Sequence, residues 1–392
     1  MNEFSRVRVS HIKAPSDLDD INISDYDVVV DGLLGTGVRG KIREPVSSTI
    51  DLINSFGGDV VAVDVPSGLN PDGGVCDKSV RATITVTLHA PKPVFYEPEG
   101  ERAGKVVVAG IGIPPDFERL IGPGDLMILK KRVRKHKGDG GKVLVVGGGP
   151  YTGAPALVGL SALACGADVV SVAAPSSVSD VVASFSPNLI VHPLDGERLK
   201  TEHVDEVIEL AKRHHVVVIG NGLGDNDETV EAVRQIMESV KRCVVDADGL
   251  RAVELEEVRG EFVLTPHFGE LLRILSLTES DTLDRRIELT KKVANSTGCV
   301  VLTKGKVDVV SDGENERFNL TGNVGMTVGG TGDVLAGIAG AFLVRDEPMK
   351  VACASAFVCG LAGDMAFERK GISLLATDVI GYIPDIIKKW NS

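Results

Sequence analysis

The chain reads as an α/β protein with largely parallel sheets. Short apolar runs rich in valine and isoleucine alternate with helical patterns along its whole length. Those runs are apolar enough to be buried strands, and the segments between them are long enough to be crossover helices. In order, Asp27–Val30 and Val60–Val63 read as strands, with a helix between them that starts at Pro45, a residue suited to a first helical turn, and runs to about Phe56. Ala82–Leu88 and Lys105–Ala109 are further strands. From Ile113 to Lys137 prolines, paired glycines and a basic run (Lys130–Lys137) mark a domain boundary.

The second part opens with a strand at Lys142–Val146 and a helix at Ala154–Cys165. Strands are expected at Val169–Ala173, Val216–Ile219, Cys243–Asp246, Phe262–Thr265 and Val300–Thr303, with helices at Val204–Arg213, Thr229–Val240 and Arg285–Ser296. Val307–Val310 and Arg317–Leu320, separated by Asp312-Gly313, read as a hairpin. Two helices, Val334–Val344 and Lys350–Arg369, close the domain. The expected division is residues 1–118, a linker over 119–136, and a second domain over 137–392.

At 392 residues the chain can bury two cores. A net charge of −13 argues against a nucleic-acid or membrane-surface binder, which wants a basic face. The short basic run reads as a solvated linker. Six scattered cysteines without C-x-x-C spacing read as small buried hydrophobes in a reducing cytosol. Met1–Asp20 is polar with charges of both signs, unlike a secretory signal. The apolar run Met349–Ala366 contains Lys350 and Asp364 and reads as a core helix, not a membrane span. A cytoplasmic protein is expected.

The most informative stretch is Asn319-Leu-Thr-Gly-Asn-Val-Gly-Met-Thr-Val-Gly-Gly-Thr-Gly-Asp333. Its glycines let consecutive N–H groups converge, and a helix starting at Asp333 adds its positive end, which makes a seat for phosphate. A carboxylate there repels an anion, so Asp333 is better explained as a base facing a hydroxyl beside the phosphate. A plain helix cap is the competing explanation. Lys304-Gly305 ends an apolar strand, where a lysine can reach a phosphate as a point charge. His267, after a strand, can donate to a bound ligand or cap a helix. Gly222, Gly224 and Ala154 are small residues where a large ligand must approach backbone. Asp246 and Asp248 could orient magnesium or water, or form a turn.

These segments resemble the ribokinase-like superfamily and, within it, the ADP-dependent NAD(P)H-hydrate dehydratases. The resemblance starts at His136-Lys-Gly138 and Gly141–Gly148. It runs through Tyr151–Leu157, Gly220-Asn-Gly-Leu-Gly224, Val245–Leu250, Leu264–Glu270 and Leu302-Thr-Lys-Gly305 to Gly329-Gly-Thr-Gly-Asp333. It implies a mostly parallel central sheet flanked by helices, with Asp333 catalytic. It implies ADP bound by Lys304, Gly305, Lys306, Val307, Asp308 and Gly332, with Mg2+ accompanying the nucleotide. The hydrated cofactor, NADHX or NADPHX, would meet Ala154, Gly222, Gly224, His267 and Asp333, and the protein would form a homo-oligomer. The alternatives are a ribokinase-like kinase for another small alcohol and a non-catalytic nucleotide sensor.

Residues Asp27 to Pro114 resemble the second half of the NAD(P)H-hydrate epimerase domain, a partial Rossmann-like fold. The signature is Asp31-Gly-Leu-Leu-Gly-Thr-Gly-Val-Arg-Gly-Lys41 followed by Val63-Asp-Val-Pro-Ser-Gly68. The resemblance implies a K+ site using Asp31 and Ser67. It implies substrate contacts from Gly35, Thr36, Gly37, Val38, Arg39, Gly40 and Lys41, with Asp64 near the epimerised carbon. The Asn-Asn-Gly-Gly-Asp loop of that family does not occur in this sequence, so the domain is expected to be truncated and its epimerase activity doubtful.

Overall fold

The computed structural model describes residues 9–37, 40–130, 140–256, 258 and 260–390. Val38, Arg39 and His136-Lys-Gly138, with the basic run from Lys131 to Lys137, lie outside the described residues. The chain divides into two units, Met1–Phe117 and Glu118–Ser392. The first part of the expected linker belongs to the second unit. Ile121, Leu126, Ile128 and Leu129 are buried in its core, and Arg317 pairs with Asp125 at 3.0 Å.

The first unit is a four-stranded parallel sheet in the order β1 (Val28–Asp31), β2 (Asp59–Val63), β3 (Ile84–Leu88), β4 (Lys105–Ala109). The helix Val46–Asn54 follows Pro45 and buries Ile50 and Ile53 with Val60 and Val80. Strand residues alternate between faces, and Val28, Val30, Val63 and Val107 are all exposed. β1 lies at an edge.

The second unit is a nine-stranded sheet between two helical layers. Its strands are β5 (Lys142–Val146), β6 (Val169–Pro175), β7 (Leu189–Leu194), β8 (Val216–Ile219), β9 (Arg242–Val245), β10 (Glu261–Leu264), β11 (Val300–Thr303), β12 (Asp308–Ser311) and β13 (Glu316–Asn319). Their order is β13-β12-β11-β10-β9-β8-β5-β6-β7. Pairings from β7 through to β11 are parallel, and the β11-β12-β13 meander is antiparallel, as the Asp312-Gly313 turn predicts.

Each central strand is apolar on both faces because each face meets helices. Val143, Val145, Val216, Val218 and Leu302 pack against the helices Gly153–Ala164, Thr331–Leu343, Pro348–Lys370 and Ala376–Trp390. Leu144, Val146, Val217, Ile219 and Phe262 pack on the other side against Val204–Ala211, Asp227–Ser239, Phe268–Leu275 and Leu283–Thr297. Pro348–Lys370 is long and apolar enough to span a membrane by composition, but most of it is buried against the sheet. Several elements of this unit escape pattern reading, among them the helices Ser176–Ser184 and Phe268–Leu275. β7 is an edge strand interrupted by His192 and Pro193, and Ala376–Trp390 carries Pro384 inside a helix.

One consequence of the topology matters for function. β5 continues to β6 and β7 on one side, and the chain then returns to place β8 on the other side of β5. Strand order therefore reverses between β5 and β8, which opens a crevice at the carboxyl edge of the sheet. The loops at that edge begin at Gly147, Gly220, Asp246, Thr265 and Lys304.

Candidate functional site

Three of these loop starts meet the helix Thr331–Leu343. Gly330 takes the left-handed conformation (φ 97°) that only glycine adopts freely, and so turns the chain into that helix. The first N–H groups of the helix have no intrahelical acceptor and carry its positive dipole end. Lys304, immediately after β11, places its ammonium over this end. A Cβ added at Gly332 would lie 3.3 Å from Lys304 Nζ, so glycine at 332 keeps the seat open.

The Asp333 side chain, in the first turn of that helix, joins a chain of polar groups. Asn221 Nδ2 donates to Asp333 Oδ1 (2.7 Å) and to Asp246 Oδ2 (2.9 Å). Asp246 Oδ1 accepts from Lys304 Nζ (2.8 Å) and from Thr265 Oγ1 (2.8 Å). The Asp333 pKa is raised from 3.8 to about 6, chiefly by burial; Asp246 and Asp248 add to the rise, while the Asn221 bond and Lys304 oppose it. Burial alone would weaken the charge on Lys304. Asp246, Glu270 and Asp333 outweigh it and hold that pKa above 10.5. The site thus holds a permanent cation beside a carboxylate poised to exchange a proton near neutral pH.

A cavity of about 840 Å³ opens from this point. His267, Lys304, Gly305, Lys306, Asp308 and Gly332 line it together with Leu320–Val324, Met326 and Thr327 of the glycine loop and Ala356, Cys359 and Gly360 of the long helix. Five of the six expected nucleotide contacts are therefore in one place. Val307 is not among the lining residues, and its carbonyl accepts from Arg286. Asp308 has a structural task. Its carboxylate accepts from the N–H of Gly305 (3.0 Å) and from Asn319 Nδ2 (2.9 Å), and burial keeps its pKa above the ordinary 3.8.

The expected hydrated-cofactor contacts are split. Ala154 and Gly222 face each other across the β5–β8 crevice, and a Cβ at Gly222 would come within 3.3 Å of Ala154 Cβ. The Gly224 N–H donates to Asp248 (2.8 Å). His267 caps the helix Phe268–Leu275: its Nδ1 accepts from the Glu270 N–H (3.2 Å), and Glu270 accepts from the His267 N–H (2.8 Å). The other face of its ring stays open toward the cavity.

Sequence reading missed the side chains that hold the loops. Asp364 accepts from the Gly322 N–H and from Asn323 Nδ2, pinning the glycine loop to the long helix. Arg286 lies against Gly305 and is fixed by Asp281 through two 2.7 Å bonds. Nothing in local spacing links Asp364 to Gly322 or Arg286 to Gly305. Asn221 stood inside a recognised motif, where only its glycines drew attention.

For Mg2+, Asp246 does not fit as a ligand, since both its oxygens are occupied by three donors. Among the described residues no group of three or more His, Cys, Asp or Glu side chains could hold a metal.

In the first unit the Asp31 carboxylate is buried and consumed by its neighbours. It accepts from the Ser67 N–H (2.7 Å), the Ser67 hydroxyl (2.6 Å) and the Leu33 N–H (3.3 Å). Ser67 Oγ also accepts from the Leu34 N–H. This pair fixes the start of the loop to the Pro66 turn and offers little to K+. Gly35, Thr36, Gly37, Gly40 and Lys41 are exposed on that loop. Asp64 sits in the left-handed region (φ 65°), a strained conformation for aspartate. Its partial burial disfavours charge. Lys92 at 2.8 Å and the Leu88 N–H more than offset that, and its pKa lies below 3.8. Lys92 was not anticipated from sequence.

A three-layer α/β unit with an anion seat, a cation and a buried carboxylate at a strand-order reversal has the architecture of the ribokinase-like superfamily. Residues 143–385 match the NAD(P)H-hydrate dehydratase family, and residues 2–94 match the YjeF-related protein N-terminus family. The chain is 48% identical over 369 residues to the bifunctional NAD(P)H-hydrate repair enzyme of Archaeoglobus fulgidus, covering 94% of this chain and 77% of that one. It is 44% identical to the enzyme of the same name from Pyrobaculum aerophilum, over 93% of this chain and 74% of that one. The chain belongs to the bifunctional NAD(P)H-hydrate repair enzyme family. The crystal structure of the ADP/ATP-dependent NAD(P)H-hydrate dehydratase from Bacillus subtilis has the same fold, with a TM-score of 0.59 and 21% identity over 68% of this chain and 97% of that one.

Proposed function

We propose that the second unit dehydrates S-NADHX or S-NADPHX to the reduced dinucleotide at the expense of ADP. The observation that carries this is Asp333 on the anion seat, with Lys304 above Gly332 and a nucleotide-sized cavity beside them. ADP lies in the cavity with its terminal phosphate at the helix start and Lys304. The hydrated nicotinamide enters from the β5–β8 side, passing Ala154, Gly222 and Gly224, and presents its hydroxyl to Asp333. Asp333 takes the hydroxyl proton as the oxygen attacks phosphorus, and the bond to the bridging oxygen breaks to release AMP. Lys304 and the helix N–H groups hold the charge on the moving phosphoryl group. The carbon–oxygen bond then breaks with phosphate as leaving group, a ring proton is lost, and the nicotinamide double bond returns. Mg2+ would ride on the phosphates, and no step is assigned to it.

The residues that support this reading are Lys304, Gly305, Lys306, Asp308 and Gly332, which line one cavity next to Asp333, and Asn221 of the Gly220–Gly224 turn, which donates to Asp333. The first unit carries the epimerase-like signature, but the mutual saturation of Asp31 and Ser67 gives no support to a K+ site there. A cytoplasmic location and a homo-oligomer belong to the same proposal. Incubation with S-NADHX and either ADP or ATP, followed by the return of NADH absorbance, tests it. Nucleotide-dependent recovery is expected. Phosphorylated NADHX accumulating without NADH would instead make the protein a kinase.

A further inference from the structure

Asn221 is the group through which the two carboxylates of the site communicate. Its side chain is fully buried on the Gly220–Gly224 turn, and its backbone carbonyl accepts from the Gly148 N–H at 3.0 Å, which locks the turn to the neighbouring loop. The two amide hydrogens are divided between Asp333 and Asp246. Its own Oδ1 is buried with no hydrogen-bond partner. A buried acceptor left unpaired destabilises the fold, and a hydrophobic or small residue would avoid that cost. Its orientation is also forced, because turning the amide over would aim its oxygen at two carboxylates.

We infer that Asn221 is a positioning residue for the dehydration reaction: it fixes the Asp333 carboxylate toward the substrate hydroxyl and stabilises its ionised form by tying it to the Asp246–Lys304 pair. This rests on the proposed role of Asp333 as base. The charged groups facing Asp333 are Asp246 and Asp248 after β9 and Lys304 after β11, and Glu270 acts on Lys304 from the helix Phe268–Leu275. Asp246 spends its oxygens on Lys304, Thr265 and Asn221, so its charge is held close to Asp333 without direct contact. The Asn221 amide makes that proximity tolerable. Without it, two carboxylates would face each other across a gap with no donor between them, and Asp333 would hold its proton to higher pH.

The test is the pH profile of kcat for wild type and Asn221→Ala. The acid limb of the wild type reflects Asp333, and in the variant it should move up by at least half a pH unit. Most of the loss near pH 6 should then be recovered at pH 8.5, which a merely structural defect would not produce. A uniform loss at all pH values with an unmoved acid limb would overturn the proposal. A second measurement needs neither turnover nor a folded variant. In the wild-type protein, NMR of the Asn221 side-chain amide protons and of the Asp333 carboxyl carbon should show one shared titration midpoint. Amide resonances that stay flat while the carboxyl titrates would overturn the proposal. If the carboxyl and amide titrate together but Asp333→Asn retains turnover, the coupling stands and the role of Asp333 as base is what fails.

Discussion

Replacing Asp333 with asparagine should make the protein more stable while removing its activity. The reason lies in the direction of the Asp333 pKa. It is raised from 3.8 to about 6 chiefly by burial, so the native state binds this proton more tightly than the unfolded chain does. Stability contributed by this group is highest below pH 3.8, where both states are protonated, falls as pH rises through the interval, and is fully lost above 6. A difference of about 2 pK units corresponds to roughly 3 kcal/mol, an upper bound because Asp333→Asn also gives up the charged acceptor for Asn221. A net gain of about 1–3 kcal/mol at pH 7.5 translates into roughly 2–10 °C in Tm. Turnover should fall by about 10²–10⁴-fold, the usual cost of losing a positioned base, and ADP affinity should not decrease. Thermal melts at pH 7.5 and pH 4 on both proteins provide the assay, and the stabilisation should shrink toward zero at the lower pH. A variant that melts lower than wild type at pH 7.5, or that keeps near-native turnover, would refute the reasoning.

Lys304→Ala should weaken ADP binding by about 1.5–3 kcal/mol, the range for a charge-assisted contact, and leave Asp246 short of a partner. Gly332→Val should weaken it more, because its side chain would occupy the space below Lys304; titration calorimetry ranks the two, and unchanged affinities would place the nucleotide elsewhere. His267→Ala should cost about 0.5–2 kcal/mol through the lost helix cap and raise KM for the hydrated cofactor. His267→Asn should restore the cap but not KM, so recovery of both by asparagine would reduce this histidine to a structural role.

The amino-acid sequence by itself determined the α/β class, most of the strands and helices of the second unit and its glycine loop. Each of these is encoded locally. Valine-rich runs such as Val143–Val146 have one buried solution, Asp312-Gly313 turns a hairpin, and the glycines before Asp333 permit a turn that other residues resist. The sequence also marked Lys304, His267 and Asp333, which stand in recognisable motifs. The tertiary structure decided what those side chains do. Only the parallel register of β8 to β11 brings Asn221, Asp246, His267 and Lys304 to one edge of the sheet. Burial at that edge, with Asp246 and Asp248 nearby, raises the Asp333 pKa. The bonds from Asp246 to Asn221 and Lys304, from Asp31 to Ser67, from Asp64 to Leu88 and from Asp364 to Gly322 join residues 24–58 positions apart. Electrostatics and hydrogen bonding act through space, and the distances that govern them do not exist until the chain has folded.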